Sequence, residues 1–160
     1  MRNELRFIDA SLFVSLKEKA LASPRLRTNF NFHSGNEDNP HRFLNVMARG
    51  TYVPPHRHLA PPRFETFLIL EGKVGLLLFD EKGRVTRAEV VGGTERMGAD
   101  IPPGAWHSVV VLTPFVVAFE IKPGPYVEVA KEIPDWARRE GDAGVGAYLE
   151  SLLRHFSPVD

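Results

Sequence analysis

The chain has 160 residues, with 20 Lys plus Arg balanced by 20 Asp plus Glu, and no cysteine. A formal charge of zero argues against broad electrostatic binding to nucleic acid or an anionic membrane, which needs a positive face. The missing cysteines exclude disulfides, thiolate metal sites and a Cys nucleophile, so any metal must be held by nitrogen and oxygen ligands.

The N-terminal "MRNELRFIDASLF" mixes charged and apolar residues and has no uninterrupted signal core. No apolar run approaches the roughly 20 residues of a membrane helix. The expectation is a soluble cytoplasmic protein. Asp9 or Ser11 caps a first helix, in which Leu12, Phe13, Leu16, Ala20 and Leu21 fall at helical spacing. Ser23-Pro24 ends it, because the residue before a proline is pushed out of the helical region. "SGNEDNPH" at 34–41 is dense in turn formers and predicts a loop.

From Arg42 the pattern changes to short runs rich in Val, Ile, Leu, Phe and Thr: "RFLNVMARGTYV", "ETFLIL", "KVGLLLF", "RVTRAEVV", "DIP", "HSVVVL" and "FVVAFEIK". Turn signals such as "DEKG" and "PPG" separate them. Short strands at this spacing predict an antiparallel all-β sandwich or barrel. Several runs are apolar on both faces, which suits a closed sheet with further elements packed outside. After a polar connector, "AYLESLLRHF" places Tyr148, Leu149, Leu152, Leu153 and Phe156 at helical spacing. The expected plan is one domain over 1–160: a helical segment at about 9–23, a barrel at about 28–123, and a tail with a helix at about 124–160.

Within this plan, "VPPHRHLAPPRFETFLILEG" (53–72) holds the residues most suggestive of chemistry. On an extended chain His56 and His58 face the same way. Glu65 opens a strand that is otherwise apolar, where a carboxylate is costly unless something pairs with it. His107 opens a later apolar strand just after the "PPGAW" turn. Three imidazoles and a carboxylate suit Fe(II), Mn(II), Zn(II), Ni(II) or Co(II), and suit Ca²⁺ poorly. Serine triads and phosphate loops lack their contexts: no Gly-x-Ser-x-Gly occurs, and no Gly-Lys-Ser/Thr follows "GGTERMGAD".

These residues also carry a resemblance. Gly50, His56, His58, Glu65 and Gly72 resemble the first cupin motif, and Pro102, Gly104 and His107 the second. Cupins are double-stranded β-helix (jelly-roll) barrels whose motif positions supply metal ligands. The resemblance implies His56, His58, Glu65 and His107 as the ligands of one divalent transition metal: Fe, Mn, Zn or Ni. The chain departs from the pattern in three places. Six residues separate His58 from Glu65 where three or four are usual, Val111 stands where asparagine often does, and Arg96 replaces a glycine. The long gap makes Glu65 the weakest of the four expected ligands.

Over most of its length the chain further resembles the WbuC-type cupin fold metalloproteins, through "SPRLRTNFNFHS", "GTYVPPHRH", "IPPGAWHSVV", "FEIKPGPY", "DWARREGD" and "YLESLLR". That resemblance implies a small bacterial metalloprotein linked to surface-polysaccharide genes, and the cupin likeness implies a homodimer. The functional expectation is a metal-dependent enzyme acting on a small polar or sugar-related molecule. The alternative is a non-catalytic binding or sensing module.

Around the ligands, Arg42 is a candidate for binding a substrate carboxylate or phosphate, with pairing to Glu37 or Asp38 as its commoner fate. Tyr52 shares a face with the histidines by alternation, with core packing as the alternative. Glu120 and Lys122 share one face of the last strand, and Lys122 is a candidate for orienting substrate. Tyr126 belongs near the rim. Trp106 is expected to shield the metal, Trp136 to anchor the tail, and His33 to be a solvated loop residue with the pocket as a second option.

Overall fold

The computed structural model describes residues 5–126 and 131–157. Helix α1 spans Ala10–Ala22. Asp9 caps it by accepting the Leu12 amide, and Ser23, extended before Pro24, ends it. Eight strands follow: β1 (Arg27–Asn31), β2 (His41–Ala48), β3 (Glu65–Glu71), β4 (Val74–Phe79), β5 (Val85–Val91), β6 (Gly98–Ile101), β7 (Trp106–Val111) and β8 (Phe115–Lys122). Helix α2 is Val145–Leu153. Strand β1 precedes the run that the apolar pattern marked first, because its Arg, Thr and Asn residues hide the signal. Of the tail expected over 124–160, residues 127–130 and 158–160 lie outside the described residues.

All strand pairings are antiparallel. They build a five-stranded sheet, β1-β2-β8-β3-β6, and a three-stranded sheet, β5-β4-β7. The sheets face each other across Met47, Phe67, Val116 and Ala118 from the larger and Val74, Leu76 and Val111 from the smaller. This is the jelly-roll architecture expected from the sequence. No helix among the described residues is long and apolar enough to cross a membrane.

The outer faces explain why several strands are apolar on both sides. Helix α1 buries Leu16 and Ala20 against Leu44, Val46 and Val117 of the larger sheet. Helix α2 buries Leu149 and Leu152 against Leu77, Phe79 and Val110 of the smaller one. Gly75 on β4 is required by this packing, since a Cβ there would run into the Phe156 ring.

Inside the barrel, strand alternation carries chemistry as well as packing. The inward series on β8 is Val116, Ala118, Glu120 and Lys122, apolar at one end and charged at the other. On β3, Phe67 pairs with Glu120 and Glu65 lies two residues further on. One end of the interior is therefore sealed by hydrocarbon, and the other is lined by ionisable groups.

Candidate metal centre

The segment holding His56 and His58 runs beside β7, joined through isolated bridges at Tyr52–Val110 and His56–His107. It does not form a regular strand, because Pro54 and Pro55 have no N–H to donate. His56 and His107 nevertheless exchange both backbone hydrogen bonds, each at 2.9 Å. That pairing sets their rings 4.3 Å apart.

Between His58 and Glu65 the six extra-motif residues fold back on themselves, with Leu59 bridged to Pro62. The His58 carbonyl accepts from both Arg63 and Gly104. Gly104 sits at φ 80°, the left-handed conformation that the "PPG" turn requires and that glycine adopts without strain. The long gap is thus taken up in the loop, and Glu65 returns to the histidines.

One ligand atom from each of His56, His58, Glu65 and His107 lies within 4.8 Å of every other. Four atoms around one ion at about 2.0–2.2 Å span up to about 4.4 Å. Small inward rotations of the side chains would bring the four atoms into one coordination shell. The Nδ1 atoms of His56 and His107 each lie 2.9 Å from a carbonyl oxygen, of Pro54 and Ala105 respectively. A carbonyl only accepts, so Nδ1 carries the proton and Nε2 keeps its lone pair for the cluster. Burial first, and then His107, hold the His56 imidazole well below its ordinary pKa, in the neutral form that ligates.

Two buried atoms of the cluster, His107 Nε2 and Glu65 Oε2, have no hydrogen bond of normal geometry among the described residues. Buried polar atoms are ordinarily satisfied, and a cation between them would satisfy both. The donor chemistry, the spacing and the unsatisfied His107 Nε2 all fit a divalent transition metal.

The carboxylate is also held by charge. Lys122 Nζ lies 3.2 Å from Glu65 Oε2 and 3.3 Å from Glu120 Oε2. Burial alone would raise the Glu65 carboxyl, but Lys122 and the contacts with His107 and His58 outweigh it and hold it well below the usual range. Burial raises the Glu120 carboxyl, reinforced by Glu65 and opposed by Lys122. Asn45 Nδ2 donates to Glu120 Oε1 at 2.7 Å. His56, Glu65, His107, Glu120 and Lys122 all line one cavity of about 180 Å³.

Of the expected substrate residues, the structure brings only Lys122 to this cavity. Arg42 is exposed. It alternates with Phe43, which lines the cavity, so its side chain leaves from the other face of β2. Tyr52 is buried against Leu149, Leu152 and Val110 and donates to the Arg138 carbonyl at 2.6 Å. The proline pair breaks the alternation that would have aligned it with the histidines. Tyr126 is 56% exposed and does not line the cavity.

Trp106 likewise faces away from the metal donors. It neighbours His107 in sequence, so on an extended strand it takes the opposite side. There it packs on Trp136 and under Arg57, with Nε1 donating to Glu81. Trp136 also touches Phe79, the anchoring contact expected of it. His33 stacks on His41 at 4.1 Å within its loop. Sequence reasoning missed Asn45, Arg27 and Lys131, which also line the cavity. Alternation on β1 and β2 could have found the first two, whereas Lys131 arrives from a distant segment with no local signal.

No curated protein matches the chain. Solved structures match it at low identity and show its fold. The capsular polysaccharide assembling protein CapF from Staphylococcus aureus is 18% identical over 70% of this chain, at TM-score 0.58. The match covers only 30% of the CapF chain. A cupin-2 domain from Rhodospirillum rubrum is 17% identical over 92% of this chain and 87% of its own, at TM-score 0.53. A Shewanella oneidensis protein is 10% identical over 79% and 85%, at TM-score 0.55. Residues 8–91, more than half of the sequence, match the family described as a domain of unknown function, DUF6016, and the chain belongs to that family.

Proposed function

We propose that the chain is a metal-dependent enzyme of the WbuC cupin type, acting on a small polar or sugar-related metabolite in surface-polysaccharide metabolism. One observation carries the reading: three of the metal donors, His56, Glu65 and His107, and two protonatable groups, Glu120 and Lys122, face the same small cavity. A site that only held a neutral ligand would not need buried ionisable groups beside the donors. CapF is named as a capsular polysaccharide assembling protein. At 18% identity that likeness supports the fold, and the polysaccharide link rests on the WbuC resemblance.

His56, His58, Glu65 and His107 would hold one Fe, Mn, Zn or Ni ion. When bound, such an ion supplies Lewis-acid polarisation, and iron or manganese adds redox chemistry. The chain's own residues do the rest. Glu120, raised by burial, is the carboxyl suited to hold a proton, and Asn45 fixes its orientation. Lys122 keeps Glu65 ionised and therefore a ligand. Phe43, Phe67 and Val74 wall the cavity with hydrocarbon and limit water.

A non-catalytic binding module is the second reading, favoured by the engagement of Lys122 with two carboxylates, which leaves its charge balanced. The two readings part on whether a bound ligand is consumed. The reading also includes a cytoplasmic location, as expected from the sequence, and a homodimer, as the cupin resemblance implies, which should sediment at twice the 17.9 kDa of one chain.

The test is elemental analysis of protein purified without an affinity tag, beside His56→Ala. We expect about one transition metal per chain, lost by most of the variant molecules while the barrel stays folded. A metal-free wild type that also fails to take up added Fe, Mn, Zn or Ni would end the metal-dependent reading.

A further inference from the structure

The charge at the cavity is not exhausted by the metal donors. Arg25, Arg27 and Lys131 line it as well. Arg25 and Arg27 share the one carboxylate of Glu140, and Lys122 is paired with Glu65 and Glu120. Lys131 makes no ion pair among the described residues. It is exposed, so a ligand can reach its amine. Enough protein surrounds it, however, that burial first, and then Lys122, push the amine down to about 8.

An ammonium that faces a cavity, with cationic neighbours and no anion of its own, is stabilised by an anion arriving there. The cavity's size adds a second constraint. Drug-sized ligands occupy roughly 300–1,000 Å³, and about 180 Å³ is available here. A small charged group fits, and an unsubstituted apolar ligand would leave Lys131 unpaired beside it.

We propose that the cavity takes a small oxyanion, a carboxylate or phosphate group on a compact metabolite, and that Lys131 recognises its charge. The inference deepens the reading of this cavity as a substrate site and rests on it. Asn29 and Asn45, which also line the cavity, offer neutral donors to the same group. Lys131 reaches the barrel through chain geometry far from the histidines in sequence. The following residue, Glu132, exchanges both backbone hydrogen bonds with Arg57 at 3.0 Å, and its carboxylate pairs with the Arg57 guanidinium. This contact fixes Lys131 opposite the histidine segment.

The experiment is calorimetric titration with inorganic phosphate and, separately, with acetate at fixed ionic strength. Cobalt-loaded and metal-free forms of the wild type, Lys131→Gln and Lys131→Arg are compared. A charge-assisted contact predicts about tenfold weaker binding in Lys131→Gln and recovery to within about threefold in Lys131→Arg. Heat with phosphate alone identifies a phosphoryl group, and heat with acetate alone identifies a carboxylate.

Equal affinity in wild type and Lys131→Gln would overturn the proposal, as would absence of heat with both anions in both metal states. Failure of the metal reading looks different. In that case cobalt does not bind, yet Lys131-dependent anion binding persists in the metal-free protein.

Discussion

The charge balance of the cavity turns on the Lys122 side chain. Its ammonium separates Glu65 from Glu120, two buried carboxylates. Lys122→Met would leave both without their cation while preserving most of the hydrocarbon stem. Breaking a buried ion pair from one side costs about 3–5 kcal/mol, and because Lys122 keeps some contact with water we expect the lower end. A metal at Glu65 would replace part of the lost positive charge, so the deficit should shrink in the metal-loaded protein. Denaturant unfolding of both forms measures it, and an equal deficit in both would place Glu65 outside the metal's reach. At this scale the sequence exposed the four donors because imidazole and carboxylate at apolar strand ends are conspicuous. Arg42 lies outside the cavity, and Tyr52 took the core-packing alternative rather than the face shared with the histidines. Arg42 sits one position out of phase with the cavity-lining Phe43, and Pro54-Pro55 interrupts the phase between Tyr52 and His56.

Among the elements, strands β2 to β8 and the bodies of both helices follow from apolar period, and the end of α1 from Pro24, whereas β1 and the connector before α2 do not. The connector's polar, glycine-bearing composition singled out only the Trp136 anchor, yet it is held to the barrel at several points. Trp136 packs on Phe79 and Trp106, the Arg138 carbonyl receives Tyr52, and Glu140 pairs with Arg25 and Arg27. Arg27 also donates to the Tyr52 carbonyl at 2.8 Å, tying the connector to β1. Partial burial would raise the Glu140 carboxyl, but Arg27 and then Arg25 outweigh it and lower its pKa below the ordinary 4.5. A depressed carboxyl contributes stability that is fully present above 4.5 and is lost as pH falls through the lowered value. Limited proteolysis of the connector should therefore accelerate below about pH 4 in the wild type. Glu140→Gln should be cut faster already at neutral pH and show less acceleration on acidification. A pH profile identical in the two proteins would remove Glu140 from the attachment.

For the whole molecule, the consequence of the site lies in which sheets it joins. Glu65 belongs to β3 of the five-stranded sheet, while His107 belongs to β7 of the three-stranded sheet, with His56 bridged beside it. Along most of the barrel the two sheets are held together by apolar packing such as Phe67 and Val116 against Val74 and Leu76. At the charged end that packing gives way to ionisable groups, and there an ion shared by His56, His58, Glu65 and His107 would take its place. Binding to the folded state alone stabilises by about 4 kcal/mol when free metal exceeds its dissociation constant 1,000-fold. For a chain of this size each kcal/mol raises Tm by about 2–4 °C, so saturation should lift it by about 8–16 °C. The lift should vanish in His107→Ala, whose own metal-free Tm falls only modestly because the imidazole removed is a poor packing residue at a polar end. A wild-type Tm that rises under metal as much as that of His107→Ala would mean the ion binds elsewhere, and this end would then lack a metal link between the sheets, because the Lys122 ion pairs lie within the five-stranded sheet.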